Sequence, residues 1–226
     1  LYTPILKVAN PNTEIKKMAT HDNVAAAVDK TMCRLLMNSR KVDSNEFSGD
    51  MILVRDIIIK YILRGIMRYD IAHEGYTIAG LEKDVDWQCP ISGDRMVNLS
   101  GRADRIDRRT DGSLQIIDYK SGNTPHLEYN GMVALFRGGA PERVSNIFQT
   151  MLYSMILNRK YNLESCPSLY FASKMLSEEY SPLILNRTTG AYVERYSDIS
   201  EEFERELGAI LEELFDYSTP FRQTDD

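Results

Sequence analysis

Gly101-Arg102-Ala103-Asp104-Arg105-Ile106-Asp107-Arg108-Arg109, Thr110-Asp111-Gly112 and Ser113-Leu114-Gln115-Ile116-Ile117-Asp118-Tyr119-Lys120 read as a strand, a turn and a second strand. Residues two apart on a strand share a face, so Asp118 and Lys120 project together while Ile117 and Tyr119 take the other side. The turn decides what lies across from them. A three-residue Thr110-Asp111-Gly112 loop, with Gly112 in the left-handed conformation, pairs Arg109 with Ser113. That register sets Asp104 opposite Asp118 and Arg102 opposite Lys120, all on one face. A two-residue Asp111-Gly112 turn slips the ladder by one and sends Asp104 to the far side. The glycine in the third loop position favours the first register. Carboxylates brought face to face repel unless a cation lies between them or they share a proton. A carboxylate beside an ammonium at a strand end can hold a hard cation and a water next to it. An acidic residue, any residue and a lysine is weak alone, since Glu14-Ile15-Lys16 also has it. Here the apolar lead-in Leu114, Ile116 and Ile117 marks a buried strand, where an unpaired charge is costly.

Outward from this hairpin the pattern alternates between helix and strand. Asn10 to Lys41 reads as helical, with Val24, Val28, Leu35 and Leu36 on its apolar face. Asp50 to Ile71 is an apolar cylinder with a narrow stripe of Asp56, Lys60, Arg64 and Arg68, the pattern of a mostly buried helix. Tyr76 to Trp87 and Met96 to Arg109 read as strands about a turn at Cys89-Pro90-Ile91-Ser92-Gly93-Asp94. His126 to Arg143, with several glycines and no stable period, reads as a loop holding at most a short helix. Asn146 to Arg159 is helical and places Gln149 and Tyr153 on one face. Ser168 to Lys174, Leu183 to Leu185 and Tyr192 to Tyr196 read as strands. The last helix carries Phe203, Leu207, Ile210, Leu211 and Leu214 behind an Asp198/Glu201 capping box. This alternation predicts an α/β domain with a mixed sheet.

The chain has 226 residues, enough for one large domain that needs no disulfide or metal staple. We read it as a single domain, 1–226, cut from a longer protein, with a helical N-terminal region (residues 1–75) and a catalytic core (residues 76–226). A net charge of −6, from 33 acidic and 27 basic residues, excludes holding nucleic acid by bulk attraction but not by a local groove. Arg102, Arg105, Arg108 and Arg109 crowd the strand, and Arg137 and Arg143 follow, so such a groove is expected; the alternative is that Arg105, Arg108 and Arg109 pair with Asp107 and Asp111. Apolar runs are too short to span a bilayer, so no membrane is expected. Three scattered cysteines make no disulfide framework and suit a reducing, cytoplasmic setting.

Gly101-x-x-Asp104, then Asp118-Tyr119-Lys120-Ser121-Gly122, then Gln149-x-x-x-Tyr153 resemble the nuclease domains of the RecB-like branch of the PD-(D/E)XK superfamily. Within it they are most similar to the C-terminal nuclease domain of AddB-type helicase–nuclease subunits. The resemblance implies a restriction-endonuclease-like α/β core with a central mixed β-sheet flanked by helices. It implies an Mg²⁺- or Mn²⁺-dependent exonuclease acting on DNA in repair and recombination. A helicase–nuclease partner subunit, or the rest of a longer chain, is then expected. Asp104 and Asp118 would be metal ligands, with the Tyr119 carbonyl completing some of the shell. Lys120 would orient or activate the attacking water and steady charge on phosphorus. Gln149 and Tyr153 would support the site and, with Arg102, contact the nucleic acid. Glu82 is the expected upstream acidic ligand and His73 the alternative. An iron–sulfur cluster held by four thiolates is excluded within these residues, which contain three cysteines. The competing class is a non-catalytic DNA-binding or scaffold domain, which has no physical need for a buried carboxylate pair.

Overall fold

The computed structural model describes residues 1–92, 94–122, 127–137, 144–218 and 220. By internal contacts the chain forms two units: Leu1–Ile78 with Lys120–Asn123 and Tyr170–Ser181, and Ala79–Tyr119 with Thr124–Leu169 and Pro182–Asp226. The architecture is mixed α/β with two sheets and flanking helices, the restriction-endonuclease-like arrangement expected.

In the first unit the expected Asn10–Lys41 helix is two, α1 (Asn12–Met18) and α2 (His21–Leu36). Thr20 causes the break: its hydroxyl accepts the Asn23 amide at 3.3 Å and starts a new helix. α3 (Gly49–Tyr61) continues through a π-helical segment, Ile62–Met67, into α4 (Arg68–Ala72). This run is less buried than its pattern predicts. Ile59 and Met67 are buried, whereas Ile52, Leu53, Val54 and Ile57 are exposed, because apolar residues ring the helix while α2 packs along it. Arg55 of α3 donates Nη2–H to Asp29 Oδ2 of α2 at 3.0 Å.

The strands are β1 (Tyr76–Ile91), β2 (Arg95–Arg109), β3 (Leu114–Lys120), β4 (Glu128–Tyr129), β5 (Ser165–Phe171), β6 (Ile184–Asn186) and β7 (Ala191–Val193). The larger sheet has the order β1-β2-β3-β5, the smaller β4-β6-β7. β5 begins at Ser165 rather than Ser168 and contains Pro167, which its edge position tolerates. The stretch read as a loop holding at most a short helix contains such a helix, α5 (Met132–Arg137), and also β4, which pairs in parallel with β6; its residues 126 and 138–143 lie outside the described set.

α6 (Ser145–Tyr161) ends at Asn162, a left-handed cap with φ 53°. The strand expected to reach Tyr196 stops at Val193, and Tyr196–Asp198 form a 3₁₀ turn. Asp198 is therefore held in that turn, α7 (Ser200–Leu214) starts behind Ile199, and the expected capping box does not form. The α7 face is as predicted at Phe203, Leu207 and Leu211, which are buried, while Leu214 is exposed. Phe203 packs edge-on against Phe136 of α5 and lies 5.9 Å from the Phe148 ring of α6.

Candidate active site

The β2–β3 ladder is antiparallel, with Arg105 across from Ile117, Ile106 from Ile116 and Arg108 from Leu114. Arg109 N–H donates to the Ser113 carbonyl at 2.8 Å, Gly112 N–H to the Arg109 carbonyl at 3.0 Å, and Gly112 has φ +85°. This is the three-residue loop expected, and its register brings Asp104 level with Asp118. Asp104 Oδ2 accepts the Tyr119 amide at 2.8 Å, so the carboxylate already reaches across the hairpin. Asp118 is 4% exposed and Asp104 half-buried. Lys120 closes β3, half-buried, and its carbonyl accepts the Ala172 amide at 3.0 Å.

The far face of the hairpin has a different task. Arg105 is fully buried and donates Nε–H and Nη2–H to the two oxygens of Asp107 at 2.8 and 2.7 Å. Its Nη1–H reaches the Tyr119 hydroxyl at 3.2 Å. Arg105 is therefore no groove residue: alternation turns it away from Asp104, and burial makes a bidentate partner obligatory. The Asp107 pairing is the alternative the sequence left open.

Gly101 and Tyr153 explain each other. A Cβ on Gly101 would stand 2.6 Å from the Tyr153 hydroxyl and 2.8 Å from Cζ, so only glycine lets the α6 ring lie across β2. Gln149 Nε2–H donates to that hydroxyl at 2.9 Å. The two α6 residues and the Gly101-x-x-Asp104 strand thus form one packed unit, with Tyr153 6% exposed.

The remaining residues lie more loosely. Arg102 is exposed and donates Nε–H to Asp84 Oδ1 at 2.7 Å. Asp84 raises the guanidinium pKa, and Arg102 holds the Asp84 carboxyl below its ordinary value. Asp84 escaped the sequence reading, although it follows Glu82 by two residues. Glu82 is exposed on β1 at φ +46°, and its charge is also felt at Arg102. His73 stacks on Tyr69 at 3.8 Å, with Nδ1 against the Tyr69 carbonyl at 2.7 Å. Arg108 and Arg109 lie at the turn end of the hairpin; Arg143 and the Arg137 side chain are outside the described residues.

Among the described residues no three His, Cys, Asp or Glu side chains converge into a metal cage. The donors at the hairpin are two carboxylates and the neighbouring Tyr119 carbonyl, all hard oxygens. Such a set fits a small divalent cation that keeps waters and takes further oxygens from a phosphate, as Mg²⁺ does. All three cysteines are buried free thiols. No described helix is long and apolar enough to cross a membrane.

Two comparisons bear on this geometry. No curated protein matches the chain. The family profile described as the PD-(D/E)XK nuclease superfamily matches residues 7–226.

Proposed function

Because this chain belongs to the PD-(D/E)XK nuclease superfamily, we propose that it hydrolyses phosphodiester bonds in DNA with the help of Mg²⁺ or Mn²⁺. The observation that carries the reading is the register that sets Asp104 against Asp118 in a chain of this family. Asp104, Asp118 and the Tyr119 carbonyl would hold the cation, with Glu82 as a further ligand. A cation bound there would supply Lewis-acid charge at a phosphoryl oxygen and lower the pKa of a water. Lys120 follows Asp118 by two residues on β3 and so projects from the same strand face. Its ammonium orients the attacking water and offsets negative charge growing on phosphorus. Tyr153, backed by Gln149, fixes the Asp104 strand against α6, and Arg102 meets the nucleic-acid backbone once it leaves Asp84. Arginine suits that contact because its planar fork donates two parallel bonds to phosphate.

Exonucleolytic trimming of DNA ends in repair or recombination, in the manner of the RecB-like branch and of AddB-type subunits, is the finer form of the proposal. A helicase partner subunit, or further domains of its own chain, would deliver the strand. A cytoplasmic setting is in keeping with three reduced thiols. The purified protein should degrade linear DNA in Mg²⁺ or Mn²⁺ and stop on addition of EDTA, with end-labelled, circular and RNA substrates separating the finer classes. DNA binding with no cleavage in either metal would favour the scaffold reading instead.

A further inference from the structure

At the turn end of the β2–β3 hairpin lies a cavity of about 630 Å³, within the second unit and lined by Arg108, Arg109, Arg195, Asp111, Glu164 and Glu194 among others. Arg109 follows Asp104 by five residues on an extended strand, roughly 17 Å at ~3.3 Å per residue. The cavity is therefore separate from the carboxylate pair. We propose that it binds a phosphate monoester group on a ligand of nucleotide size.

The lining balances three arginines with three carboxylates. Hydrogen bonds from Ser113, then the charges of Arg109 and Arg195, lower the Asp111 pKa. Against burial, which raises it, hydrogen bonds from Ser197 and Ser165 and the charge of Arg195 lower that of Glu164. The hydrogen-bonding pattern is what sets the arginines apart as ligand donors. Two of the three carboxylates are committed to the protein's own donors. Asp111 Oδ1 accepts Ser113 N–H at 2.9 Å and the Ser113 hydroxyl at 2.6 Å. Glu164 Oε1 accepts the amides of Ser165 and Ser197 at 2.9 and 3.3 Å. The arginines are not consumed in the same way. Among the described residues none of the three makes an ion pair within 4.0 Å, and Arg108 has one long contact, Nη1–H to the Gly112 carbonyl at 3.5 Å. The positive charge of Arg109 is felt at the buried Cys166 thiol. Three guanidiniums thus surround a space of ligand size with donors to spare. Bidentate bonds to a phosphate dianion are the chemistry such forks match best. A cavity of this volume also falls within the range of small-ligand pockets, ~300–1,000 Å³.

Two sources can supply that group: a free nucleoside monophosphate, or the 5′-phosphate at the end of a nucleic-acid strand. Isothermal titration in EDTA, which suppresses cleavage, separates them with five probes: inorganic phosphate, adenosine monophosphate, adenosine, and a short oligonucleotide with and without a 5′-phosphate. Phosphate-bearing probes should bind and adenosine should not. The Arg108→Ala/Arg195→Ala double variant, both residues being exposed, should keep the parent circular dichroism and weaken binding by at least about tenfold. An oligonucleotide that gains affinity on 5′-phosphorylation, by a margin the double variant removes, assigns the site to strand ends; monophosphate binding without that gain assigns it to free nucleotide. Asp118→Asn should leave this binding unchanged. Binding that survives the double variant, that vanishes with Asp118→Asn, or that is absent for every phosphate probe at millimolar concentration overturns the proposal.

Discussion

Gly101→Ala should destabilise the protein through one contact, and the structure sets its size. The new methyl would stand 2.6 Å from the Tyr153 hydroxyl and 2.8 Å from Cζ. Ordinary contact is ~3.5–4.0 Å, so the ring must retreat by about 1 Å. Tyr153 is buried in packed interior, where forced displacement costs about 1–3 kcal/mol. Moving the ring also strains the Gln149–Tyr153 bond, worth about 0.5–1.5 kcal/mol. A total loss of roughly 1.5–4.5 kcal/mol is therefore expected. Urea unfolding followed by far-ultraviolet circular dichroism measures it in a cycle of four proteins: parent, Gly101→Ala, Tyr153→Ala and the double variant. Tyr153→Ala should itself cost about 3–5 kcal/mol. With the ring gone, the Gly101→Ala step should be nearly neutral, so the coupling should equal almost the whole cost of that single substitution, roughly 1.5–4.5 kcal/mol. Additivity within about 0.5 kcal/mol would refute the reasoning, because the two positions would then not meet.

Arg105→Ala should cost about 3–5 kcal/mol by leaving Asp107 buried without its bidentate partner, read as a fall in urea midpoint. Burial pushes the Tyr129 and Tyr180 phenols up to about 12 from an ordinary 10.0. Above about pH 10 the unfolded chain sheds protons the folded chain keeps, so their contribution, full below that pH, is lost as pH rises towards about 12. A Tm scan should show the decline, and Tyr129→Phe or Tyr180→Phe should flatten it; an unchanged slope in both variants contradicts the assignment. Lys120→Ala should abolish single-turnover cleavage while metal affinity holds or rises slightly. Equal loss of rate and DNA affinity would remove its role in the transition state.

The hairpin that carries the candidate site is legible where local chemistry decides its geometry. Gly112 as third loop residue was enough to choose the register, and the left-handed φ with the Arg109–Ser113 bond is its structural counterpart. Thr20 carried a readable start signal, yet the apolar period ran across it and hid the break between α1 and α2. β4 was hidden between glycines, because a two-residue strand pairing with β6 has no period of its own. The exposure of Ile52, Leu53, Val54 and Ile57 could not be read at all: a helix apolar all round says nothing about which neighbours cover it. Long-range meetings were likewise silent. Tyr153 lying over Gly101, and Arg195 joining Arg108 and Arg109 around one cavity, depend on the path of the chain between them.

The central claim is that the Asp104–Asp118 pair holds a divalent cation for phosphodiester hydrolysis. It is tested most directly by one comparison of parent and Asp118→Asn: single-turnover cleavage of end-labelled linear DNA in Mg²⁺, with Mn²⁺ binding followed by electron paramagnetic resonance in the same preparations. The account predicts that the parent binds Mn²⁺ and cuts, and that Asp118→Asn loses both, by at least about a hundredfold in rate, while keeping its fold. Asp118→Asn cutting at the parent rate, or binding Mn²⁺ as tightly, would contradict it.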